Sequence, residues 1–177
     1  EFWEIAQDPK IAGGLFLIAL TAKGKEFSET ISSMSDNMGM TLQQGMELGP
    51  ELLTAGLHGI TLGVGFKKSA AAMAGLAEGA GSLKGLTGEA AAEAAKLAFS
   101  IGLSEQETGK LLSRNMLLTG ESMSQSKASL LTVANLARGA NLPIGKVMKD
   151  VAGSMDLMAK FGNKTVAELG KAAVEAA

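Results

Sequence analysis

From Leu52 to Gly88 the chain reads LLTAGLHGITLGVGFKKSAAAMAGLAEGAGSLKGLTG, an apolar run broken nine times by glycine. A glycine inside a helix costs on the order of 1 kcal/mol relative to alanine, so an isolated helix of this composition is weak. Its order has to come from packing. Close approach of small helix faces would supply it, and so would lipid, in which backbone groups must pair internally. Gly59 and Gly63 show the small-xxx-small spacing of helix contacts, although in a chain with 23 glycines that spacing has little specificity. A sheet is the poorer alternative, because aromatics make up 4% of the residues and tyrosine is absent. The expected fold is all-α, with multiple short helices in a bundle-like or extended array that is ordered by assembly.

Three regions are expected. Residues 1–51 hold N-terminal helices with a short apolar segment, Ile11 to Ala22, that carries no charge and falls short of the roughly 20 residues a bilayer span requires. Phe27, Ile31, Met34 and Met38 then fall on one helical stripe, and Thr41 with Gln44 forms a capping-box pattern. Residues 52–88 are the Gly/Ala-rich apolar region. Residues 89–177 form a five-helix array, with helices expected at 89–101, 104–118, 122–139, 143–160 and 165–177. Ser104 with Glu107, Ser122 with Gln125, and Thr165 with Glu168 each fit a capping box, and Pro143 suits a first helical turn. The short joints between them make successive helices fold back or bend on one another. SIGLSEQETGKLL and GANLPIGKVMKDV echo each other as helix joints. Because the chain starts at Glu1 and stops in the helical pattern GKAAVEAA, it is expected to be a piece of a longer protein.

Stretch 101–122, IGLSEQETGKLLSRNMLLTGES, has the outline of a DNA-reading helix-turn-helix. Its second helix, however, would present Glu105 and Glu107 to phosphate and place Gly109 at a reading position. The whole chain carries 16 Lys and Arg against 18 Asp and Glu. That balance disfavours phosphate contacts, and sequence-specific nucleic-acid binding is not expected.

No catalytic, cofactor-binding or metal-binding residue is assigned. His58 has no Cys, His or carboxylate companion at ligand spacing, and there is no cysteine. Ser124 to Lys127 match Ser-x-x-Lys only as a bare tetrapeptide, and GVGFKKS at 63–69 lacks the spacing of a nucleotide-cradling loop. The ten methionines are read as adaptable filler of helix contacts. The chain is not expected to be an enzyme.

The last half of the chain resembles a segment of the tail tape measure proteins of tailed bacteriophages. The likeness rests on an Ala-rich helix leading to the joint Ile101–Ser104, a second joint at Thr119–Ser122, the helix Val147–Ala152, and Phe161-Gly162 ahead of another Ala-rich helix. It implies a structural virion protein, packed in the tail tube or tip and released during DNA ejection. It further implies a homo-oligomer with tail tube, hub or baseplate proteins as partners and contact with the host envelope during infection. No functional residue carries over from the likeness. The competing class is a membrane-active helical protein, such as a pore-forming toxin or another virion ejection protein. On either reading the apolar stretches 11–22 and 52–66 are expected to need partner copies or lipid to be buried, so the chain alone is expected to be aggregation-prone or oligomeric.

Overall fold

The computed structural model describes residues 49–82, 85–161 and 165–176 together with positions 29, 32, 33 and 36, with the side chains of 156–161 left aside. From Gly49 onward there are seven helices and, among the described residues, no strand: α1 (Gly49–Thr61), α2 (Phe66–Ala80), α3 (Gly88–Ile101), α4 (Glu105–Thr119), α5 (Met123–Gly139), α6 (Ile144–Phe161) and α7 (Val166–Glu175). They pack into an all-α bundle. The apolar segment 11–22 and the Thr41–Gln44 capping pattern lie outside the described residues. Glu29, Ser32, Ser33 and Asp36 are helical and exposed, while the stripe of Phe27, Ile31, Met34 and Met38 lies outside the described residues.

The joints after α3 are built from the capping pairs. Glu107 N donates to Ser104 Oγ (3.2 Å) while Ser104 N donates to Glu107 Oε2 (3.0 Å). Ser122 and Gln125 exchange the same pair of bonds ahead of α5, as do Thr165 and Glu168 ahead of α7. Each box satisfies two amides that a helix start would otherwise leave open. At α6 the carbonyl of Pro143 accepts from Lys146 N and Val147 N, so the proline opens the helix without losing a needed donor. Gly102 ends α3 in the left-handed region (φ 69°), where a side chain would be strained. The two echoing joints touch: a Cβ on Gly145 would lie 2.5 Å from the carbonyl oxygen of Gly102.

The glycine-rich region is folded into the same core. Ala72 to Ala77 of α2 are six consecutive buried residues, which makes α2 the central helix, covered by α1, α3 and α4. Its closest partner is α4. A Cβ on Gly75 would meet the backbone carbonyl of Gln106, one on Gly109 would meet that of Ala72, and one on Gly79 would lie 2.6 Å from the carbonyl of Lys110. Glycine at these three positions lets two backbones approach closely, and the dispersion attraction between them offsets the weak intrinsic helicity. Gly75 and Gly79 are the four-residue pair that makes this contact. Gly63, by contrast, lies in the turn after α1 at φ 78°.

Within 52–66 the chain's own helices supply part of the burial. Leu52 and Ala55 are at 1% exposure or less in a core shared with Met73, Leu112, Leu130, Met148 and Val166, while Ile60 of the same stretch stays in water. A pattern read along one segment does not contain the helix that will cover it. Met73, Met148 and Met155 are fully buried, in keeping with their reading as contact filler.

Candidate functional site

The helix-turn-helix outline is taken up by packing. Thr108 and Gly109, the early-turn positions that would approach bases, are buried against α2. Glu105 pairs with Lys68 (3.5 Å), and Lys110 pairs with Glu78. The ammonium of Lys110 holds the Glu78 carboxyl below its ordinary value, an effect partly opposed by its partial desolvation. Glu107 is also lowered, first by the hydrogen bond from the Ser104 backbone amide, with Lys149 adding attraction at 3.7 Å.

The other residues weighed in the sequence are scattered. His58 lies half-buried in the last turn of α1. Ser124 is exposed at the start of α5, and the ammonium of Lys127 is directed to Glu93 (3.0 Å), across to α3. In GVGFKKS the glycines at 63 and 65 form the turn between α1 and α2, and Ser69 Oγ donates back to Gly65 O. Among the described residues no group of three His, Cys, Asp or Glu side chains converges as a metal site would.

Two features were not singled out in the sequence. The first is a polar cluster at the α4–α5 joint, centred on Asn115, which is fully buried. Asn115 Nδ2 donates to Glu121 Oε2 (2.7 Å) and to Ser126 Oγ (2.9 Å), and Ser129 Oγ also donates to the same carboxylate. Thr119 Oγ1 donates to the Asn115 carbonyl and accepts from Glu121 N. Because Glu121 only accepts when ionised, the amide must turn its NH₂ toward it. Asn115 Oδ1 is then left as a buried acceptor with no partner. The cluster fixes how α5 leaves α4.

The second feature is a groove of about 590 Å³ between the α1–α2 turn and the C-terminal end of α3. Val64 and Leu103 line it on the apolar side, Phe99 stands at it, and Lys68, Lys96 and Glu105 supply its charge. Phe99 is 91% exposed, and Ile60, at the same end of α1, is 67% exposed. Helical phase could have found Phe99. Glu89, Glu93, Lys96 and Ser100 mark the polar face of α3, and Phe99 stands on that face and not with Ala95, Ala98 and Ile101.

The fold thus defines an all-α bundle with an open groove of mixed polar and apolar lining on its surface. Comparison with protein-family models, with curated proteins and with solved structures finds no match to this chain.

Proposed function

We propose that this chain is a structural protein of a bacteriophage tail, a region of the tape measure protein that packs in the tail tube or tip and leaves it during DNA ejection. The observation that carries this reading is the likeness over the last half of the chain, whose joints at Ile101–Ser104, Thr119–Ser122 and Phe161 coincide with helix ends. The polar cluster of Asn115 with Glu121, Ser126 and Ser129 braces one of these helix joints. On this reading the chain works in the virion as a homo-oligomer against tail tube, hub or baseplate proteins, without catalysis and without sequence-specific nucleic-acid contacts. It meets the host envelope on release.

Mass spectrometry of purified tailed particles, from a lysate of cells carrying the gene, tests the reading before and after triggered ejection. Peptides of this chain should be present in intact tails and depleted from emptied ones. Tailed particles that lack the chain at both stages overturn the proposal. The membrane-active reading requires more rearrangement. Among the described residues no helix is long and apolar enough to cross a membrane, and the apolar faces of α1 and α2 already serve the core.

A further inference from the structure

We propose that the groove beside Phe99 docks an acidic amphipathic segment of a partner protein, which seats an apolar side chain against Phe99 and directs carboxylates to Lys68 and Lys96. This inference goes beyond the tail reading and does not rest on it. About 590 Å³ falls within the range of pockets that accept large side chains or small ligands. Phe99 and Ile60 leave apolar surface in water at this end of the bundle, and aromatic anchors beside a pocket are the usual centres of binding energy.

The charge of the groove selects the occupant. Its charged lining groups are Lys68, Lys96 and Glu105, and Glu105 is already engaged by Lys68 at 3.5 Å. Lys96 is exposed and makes no ion pair with the described residues, and Lys67 adds a further exposed cation next to Lys68. A carboxylate brought in by the partner gains attraction from Lys96 without displacing an existing bond, whereas a basic segment meets net positive charge. An anionic bilayer is the weaker candidate. Polybasic lipid-binding surfaces gather about 4–8 cations, and a concave site holds a side chain better than it meets a flat interface.

The test is fluorescence anisotropy with the full 177-residue chain. The probe is a labelled synthetic helix with leucine on one face and glutamate on the other, and the control is the same helix with lysine in place of glutamate. The acidic helix should bind and the basic one should not. Phe99→Ala should weaken binding at least about tenfold, as expected for a central aromatic anchor. Lys96→Glu should weaken it and flatten its salt dependence, and Leu136→Ala, an exposed apolar residue elsewhere, should leave it unchanged. Both groove positions are exposed, so unchanged circular dichroism is expected for each variant. The proposal is overturned by equal binding of the two helices, by unaltered affinity in Phe99→Ala, or by no binding of the acidic helix. It is equally overturned if Phe99 instead governs flotation with phosphatidylserine vesicles.

Discussion

Gly109 of α4 lies so close to Ala72 of α2 that a methyl group on it would run into the Ala72 carbonyl oxygen. Neither backbone can yield without moving a helix, since Ala72 is in the most buried stretch of the bundle. Replacing glycine by alanine inside a helix ordinarily stabilises it by roughly 1 kcal/mol. At Gly109 and Gly75 the sign should reverse, because overpacking of a close contact costs about 1–3 kcal/mol. Gly153 supplies the control. It is exposed in α6 with nothing within 4 Å of its added Cβ. Urea denaturation should show Gly109→Ala and Gly75→Ala less stable than the parent and Gly153→Ala more stable by about 0.5–1 kcal/mol. Stabilisation by all three changes would show that the α2–α4 contact is looser than described.

The Asn115 cluster predicts an asymmetric pair of substitutions. Asn115→Ala removes two donors from Glu121 and Ser126 and should cost about 1–3 kcal/mol. Asn115→Asp should cost more, because it places a buried carboxylate against the Glu121 carboxylate. Its deficit should shrink as pH falls and the new acid is protonated. Thermal melts of the two variants at neutral and acid pH check both statements, and an aspartate variant as stable as the parent at pH 7 would contradict them.

The capping boxes separate by pH. The Ser104 amide and hydroxyl hold Glu107 below its ordinary value of 4.5. Its contribution to stability is therefore complete above that pH and is lost as pH falls through the lowered folded value. Gln125 fills the equivalent place in the Ser122 box without a charge. Glu107→Gln should thus cost about 0.3–1 kcal/mol at pH 7, the scale of a carboxylate at a helix start, and the gap should close in acid. Gln125→Glu should gain a stability increment that is present at pH 7 and absent in acid. Denaturant midpoints measured from pH 7 to pH 3 would show both trends, and a gap in Glu107→Gln that widens in acid would contradict the sign.

Local chemistry decided what was legible in the sequence. Ser104–Glu107, Ser122–Gln125 and Thr165–Glu168 are boxes made within four residues, so the helices after residue 88 could be placed to within a residue or two at most ends. The glycines at 75, 79 and 109 read as helix weakness, because the surface that makes them useful belongs to another helix some thirty residues away. Asn115 was hidden for the same reason. Nothing next to it in the chain marks it as buried, and its partners Glu121 and Ser126 meet it only once α5 turns back. Phe99 is the exception among the missed residues, since its place on a polar helix face was there to be read.

Hydrogen exchange across α2, residues Phe66–Ala80, most directly tests whether the glycine-rich half is a water-stable part of one bundle or an element waiting for lipid. In dilute buffer without lipid or partners, the amides of Ala72 to Ala77 should be among the slowest in the chain. They should exchange together with those of Leu111 and Leu112 in α4, and Gly109→Ala should speed both groups alike. Rapid exchange of α2 in buffer, with protection appearing only when vesicles are added, would contradict the bundle and favour a membrane-active protein.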